Sequence, residues 1–167
     1  MTRELWLTSC GAYGFAAAVT DLHIRRLDGD ASVQDLRDWQ HVHNTIIPTH
    51  VLSLDDVRGR AERNHLELGY LDGVLVGNST VRPPEGDTAT ATVIARVLDG
   101  HRRQGFGEKL YVRGLERAWE LGARVIETVV LESNTDGLRF ALKHGFVEIE
   151  RYLLEGDTIP WIDLRLA

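Results

Sequence analysis

Apolar and polar residues alternate over 22–27 (Leu22-His23-Ile24-Arg25-Arg26-Leu27), the period of a strand with one buried face, and Asp28-Gly29 ends it in a turn. The period then changes. Ser32, with Asp35 three residues on, has the form of a capping box, and Val33, Leu36 and Trp39 follow on one side of a helix that fades at His43-Asn44 and stops by Pro48. Ser53 and Asp56 repeat the signal ahead of Val57 and Ala61, which predicts a second helix. Leu66, Leu68 and Tyr70 alternate up to the two-residue turn Asp72-Gly73, and Val74-Leu75-Val76 resumes on the far side, a hairpin. A turn at 83–87 leads into 88–97, a Thr- and Val-rich strand for the same sheet.

From 105 to 121 the spacing is helical, with Phe106, Leu110, Gly114 and Ala118 on one row, Tyr111, Leu115 and Trp119 on the next, and Gly122 as the stop. Residues 125–131 read as a strand, Asn134 caps a short helix to Lys143, and 146–154 and 161–166 read as closing strands. The order β-α-α-β-β-β-α-β-α-β-β is mixed α/β with an antiparallel N-terminal portion. Residues 1–20 stand outside it as an N-terminal extension without an assigned role, and 21–167 read as one domain, as the length of 167 residues also suggests.

Composition narrows the function classes. The chain carries 19 Lys and Arg against 25 Asp and Glu, a net charge of −6, which argues against a surface built to neutralise nucleic-acid phosphates. There is no run of about 18–20 apolar residues for a membrane span. The single cysteine, Cys10, excludes an intramolecular disulfide and fits a cytoplasmic location. Leu7-Thr8-Ser9-Cys10 has the form of a lipoprotein cleavage site, but only six residues precede it, too few for an apolar leader segment, so the match is read as chance.

One segment runs against the overall charge. Between 96 and 113, Arg96, Arg102, Arg103, Lys109 and Arg113 face only Asp99 and Glu108, a local charge of +3 where a strand end passes through Gly-containing sequence into a helix. Such a turn presents unpaired N–H groups at the positive end of a helix dipole, and glycine lets a phosphate approach the main chain. An ordinary connection with a solvated basic face is the competing reading. A nucleoside triphosphate loop would need Gly-Lys-Ser/Thr where Gly105-Phe106-Gly107-Glu108 stands, and a dinucleotide fold would need a third glycine at Leu110.

Arg102-Arg103-Gln104-Gly105-Phe106-Gly107, with Val97 five residues before it, resembles the pyrophosphate loop of the GNAT superfamily of acyl-CoA-dependent N-acetyltransferases. A second motif lies in register: Asn134-Thr135-Asp136-Gly137 followed by Gly145-Phe146. The resemblance covers roughly residues 22–166. It implies a GNAT-like mixed, mostly antiparallel sheet splayed at its centre and flanked by helices. It also implies acetyl-CoA as co-substrate, a small-molecule amine as acceptor, and direct transfer in a ternary complex. By the same resemblance Ala95 and Val97 would meet the pantetheine amides, Arg102, Arg103, Gln104, Gly105, Phe106 and Gly107 would form the pyrophosphate loop, and Asn134 would contact the cofactor as well as cap its helix. No metal is implied, and the assembly, monomer or homodimer, is left open.

The sequence departs from the family at the acid. The position seven after Asn134, where many members carry a tyrosine, is Ala141, and 88–94 contains no carboxylate. Tyr152 or Tyr111 could replace the acid, Tyr111 reading more readily as core, and Glu132 at a strand mouth could be a base or a solvated strand-end carboxylate. Ala141 and the carboxylate-free strand leave a second class open, a non-catalytic acyl-CoA-binding or sensor module. His41, His43 and His50 border the expected acceptor region and read as surface or capping residues, with acceptor contact as the alternative; their spacing does not suit a metal. Trp39 and Trp119 read as core.

Overall fold

The computed structural model describes residues 21–167, so the readings placed on residues 1–20, Cys10 among them, lie outside the described residues. Strands β1 (His23–Leu27), β2 (His65–Leu71), β3 (Val74–Glu85), β4 (Thr90–Val97), β5 (Val125–Leu131), β6 (Phe146–Tyr152) and β7 (Trp161–Leu166) form one sheet in the order β1-β2-β3-β4-β5-β7-β6. All neighbours are antiparallel except β4 and β5, which run parallel. The helices are α1 (Val33–Ile46), α2 (Leu54–Arg63), α3 (Phe106–Glu120) and α4 (Thr135–Lys143).

Both serine signals form complete capping boxes, Ser32 with Asp35 and Ser53 with Asp56. On one face of the sheet α1 and α2 seal Leu36, Trp39 and Val57 against Leu66 and Leu68. On the other, Tyr111, Ala118 and Ala141 of α3 and α4 pack against Val81, Val93, Ile126, Val130, Ile162 and Leu164. The charged tie between layers is Glu67 of β2, buried under α3, which accepts bonds from Arg113 at 2.9 and 3.1 Å and from His65 at 3.0 Å. Burial alone would raise its pKa, but these donors hold the carboxyl down to about 2.

Four details differ from the sequence reading. β3 continues through Pro83 and Pro84, because the register slips between Arg82 and Glu85 and the prolines sit where the ladder is already irregular. The turn therefore falls after Glu85, and β4 opens at Thr90 instead of Thr88. α1 runs on to Ile46, which carries His43 to the inward side one turn after Trp39; it is buried and stacked on the indole at 5.7 Å, not a surface residue. Trp119 is 55% exposed at the end of α3, where the inward stripe has passed to Ala118.

Register explains the splay. β4 and β5 pair only at Thr90 with Val125, Ala91 with Ile126, and Thr92 with Glu127, and from Val93 onward they part. β3 stays close to β4 there partly through Gly77, opposite Val97, where any Cβ would collide with the backbone carbonyl of Arg96.

Candidate active site

The gap between the parting strands opens into a cleft of about 370 Å³ that runs from the start of α3 to Ile46 and Ile47 at the end of α1. Alternation in the two ladders lines it with backbone. Leu98 donates to Val76 of β3, so Val93, Ala95 and Val97, out of phase with it, turn their peptide groups toward the gap. On the other lip Glu132 donates to Pro160 beyond β7, so Val129 and Leu131 turn theirs toward β4. The Leu131 carbonyl is taken by the Asn134 N–H at 2.8 Å, and the Val97 carbonyl by Arg102 Nε at 3.1 Å. The Val97 N–H and both polar groups of Ala95 are left on the open edge.

At one end of the cleft lies the basic segment. A single 3₁₀ turn, Asp99–His101, follows β4. Arg103 and Gly105 have positive φ, 60° and 82°, and Gly105 is the N-cap of α3 with no side chain capping the helix. The first N–H groups of α3 thus lack both an intrahelical and a side-chain partner, the arrangement that suits an anion. A Cβ at Gly107 would meet Val97 and Phe140 at ordinary contact distance, and Phe106 is buried beside Val76 and Leu110, holding the helix start to the sheet. Arg102 does not point outward. Besides Val97 it binds Asp99 at 3.0 Å and Asp136 of α4 at 2.7 Å, joining the two lips of the cleft. Arg103 and Gln104 are exposed on the turn. Asn134 caps α4 by accepting from the Gly137 N–H at 3.0 Å.

The two candidate proton carriers are separated. Glu132 is ion-paired with Arg151, which also holds Glu148 at 3.0 Å, and it is not among the cleft residues. Tyr152 is likewise not among the cleft residues; it packs with Ile46, Ile47, Val129 and Leu131, which line the α1 end of the cleft, and donates to Asp163 at 3.2 Å. Burial, with the Asp163 carboxylate beside it, pushes the phenol up to about 12. Burial likewise raises Asp163, with Glu127 and Glu150 adding to the effect and the Tyr152 hydroxyl opposing it. Ala141, at 2% exposure, fills core space under α4. His50 is exposed and meets the edge of Trp161; His41 is exposed on α1.

The sequence reading passed over Ile46, Ile47, Asn78 and Thr80, and took Arg96 only as part of the basic segment. Cleft walls are lined by Ile46, Ile47 and Arg96, while Asn78 and Thr80 lie buried beside Arg96 on β3. Consecutive polar residues Asn78-Ser79-Thr80 inside a strand were the available signal, since an ordinary strand alternates.

The parallel pair separates at its C-terminal ends, with an uncapped helix start at the mouth, a geometry that suits an extended ligand with an anionic end. Solved structures share the fold. The chain superposes on an N-acetyltransferase from Staphylococcus aureus Mu50 with a TM-score of 0.68 at 15% identity, covering 87% of this chain and 98% of that one. It superposes on yncA from Salmonella typhimurium, solved with its cofactor acetyl-CoA, with a TM-score of 0.67 at 17% identity, covering 87% and 92%. For ribosomal-protein-alanine N-acetyltransferase from Brucella melitensis the TM-score is 0.65 at 16% identity, covering 86% and 98%. No curated protein sequence matches. Residues 30–146 match the Acetyltransferase (GNAT) family, and the chain belongs to that family. Among the described residues no helix is long and apolar enough to cross a membrane.

Proposed function

We propose that this protein is an N-acetyltransferase that moves an acetyl group from acetyl-CoA to a small-molecule amine by direct transfer in a ternary complex. The observation that carries the reading is the cleft itself, where strand-edge peptide groups of β4 continue into the uncapped start of α3. Acetyl-CoA supplies the activated acyl group. The N–H groups from Gln104 to Gly107 bind its pyrophosphate, and Ala95 and the Val97 N–H align the pantetheine arm. The amine nitrogen forms the new C–N bond as the C–S bond breaks, and the proton lost from nitrogen is matched by one gained by the thiolate.

An alkyl amine near pKa ~10.4 must first lose its ammonium proton, whereas a thiol near ~8.5 is a good leaving group. Of the two candidates, Tyr152 packs against the cleft-lining Ile46, Ile47 and Leu131 and stays protonated at neutral pH, so it is assigned the donor role, with Asp163 holding the phenol in place. Glu132 is tied to Arg151 and anchors the strand end.

A thermal-shift series with acetyl-CoA, coenzyme A, ATP and NAD tests binding: the first two stabilise the protein, and a response to ATP alone overturns the reading. Thiol release across an amine library tests catalysis. Ala141, which offers no hydroxyl, favours the sensor alternative, and tight acyl-CoA binding with silence across the library would establish that alternative.

A further inference from the structure

Opposite the phosphate end, on the face covered by α1 and α2, the cleft wall is cationic. Cross-strand pairs place Asn78 beside Arg96, Thr80 beside Ile94, and Arg82 beside Thr92, all on the side where Asn78 donates to the Trp39 carbonyl of α1 at 3.1 Å. Arg96 lines the cleft with Ile94, Ile46 and Ile47. Its Nη1 is sealed from solvent without a hydrogen-bond partner, and so are Thr80 Oγ1 and Asn78 Oδ1 on the neighbouring strand. Buried polar atoms without partners are rare in native proteins, and several side by side mark a place where a partner is to come.

Arg60 of α2 and Arg82 of β3 are the charged groups that act on Arg96, and both repel. Arg60 is offset by Asp56, and Arg82 acts on Tyr152 and Asp163 across the gap. His43 of α1, the remaining neighbour, is held neutral by burial and by Arg96 itself, its pKa lowered to about 3. Among the described residues Arg96 has no ion pair. A guanidinium in a partly dry wall without a carboxylate is costly unless an anion joins it.

We propose that the acceptor is an amine that also carries an anionic oxygen group, such as a carboxylate or phosphonate, and that Arg96 binds this group. The inference rests on the acetyl-transfer reading and narrows its substrate class. The guanidinium fork can bond two oxygens of either anion at once, and the apolar walls of Ile46, Ile47 and Ile94 take the carbon skeleton between the anion and the amine. The cofactor's phosphates are held at the other end, so the two anions do not compete.

The test compares free L-amino acids and aminoalkylphosphonates with the matching amino-acid amides, at fixed acetyl-CoA, by thiol release. The anionic series should exceed the amides in kcat/KM by about 10- to 100-fold, the range of a hydrogen bond to a charged group. R96Q should erase the preference and R96K should keep part of it. Equal or better turnover of the amides by the unmodified protein overturns the proposal, as does an R96Q protein that weakens acetyl-CoA but keeps the preference. Should acetyl-CoA bind and both series stay silent, acetyl transfer fails as a function. The anion site is then decided by calorimetry of the same compounds: binding that R96Q removes supports it, and no binding overturns it.

Discussion

The two ends of the cleft are built from different materials. The end at α3 is made of backbone: a left-handed Gly105, an uncapped helix start and the open edge of β4. The end at α1 is made of side chains drawn from several elements: Ile46 and Ile47, Ile94 and Arg96, with Tyr152, bonded to Asp163, packed against the two isoleucines of the α1 end. A backbone site recognises a fixed group and tolerates change in side chains. A side-chain site changes its ligand whenever one residue changes. One end therefore suits a co-substrate common to a family, and the other suits an acceptor that distinguishes its members.

Substitutions can break this contrast. The largest effect is expected for Gly105→Glu, which puts a strained side chain and a negative charge at the helix start; it should abolish stabilisation by acetyl-CoA, about 2.7 kcal/mol at a hundred times the dissociation constant, read by thermal shift. Tyr152→Phe acts at the other end. It should lower kcat about 100-fold while leaving acetyl-CoA binding intact, and an equal loss in both would show that the two ends are not separable.

Glu67→Gln lies outside the cleft and tests the frame that carries both ends. It should cost about 2 kcal/mol in denaturant unfolding at neutral pH, below the usual loss for a fully buried pair because Arg113 is half exposed. The carboxyl is held below its unfolded value of 4.5, at about 2, so its contribution is present above pH 4.5 and disappears as the pH falls toward 2. Unfolding curves of the two proteins should converge over that window. Asn134→Ala should cost about 1 kcal/mol of stability through loss of the α4 cap; an additional loss of acetyl-CoA affinity would show that the side chain also touches the ligand.

What could be read in the sequence follows the same division. Element order and both capping boxes were legible because they depend on local spacing, and the GNAT signature because glycines and arginines at fixed offsets shape one contiguous turn. Pro83-Pro84 misled because a bulge, a tertiary adjustment, made room for them in β3. His43 and Trp119 exchanged places between core and surface because α1 runs on past His43, one turn after Trp39, and because the inward stripe of α3 passes through Ala118. Arg96 was counted only as part of a basic segment. Its side of the sheet, and the absence of an acid near it, are set by strand register and by the packing of α1 and α2.

Arg102 has a consequence for ionic strength. Of the five cations between 96 and 113, Arg102 is held by Asp99 and Asp136, Arg113 by Glu67, and Arg96 faces the opposite layer. Attraction for the cofactor's phosphates should thus combine fixed peptide dipoles acting at contact distance, which dissolved salt screens weakly, with the exposed Arg103 on the turn. Affinity for acetyl-CoA should fall less than about threefold between roughly 0.05 and 0.5 M salt in calorimetric titrations, and a steep decline would return the basic side chains to the role of principal ligands.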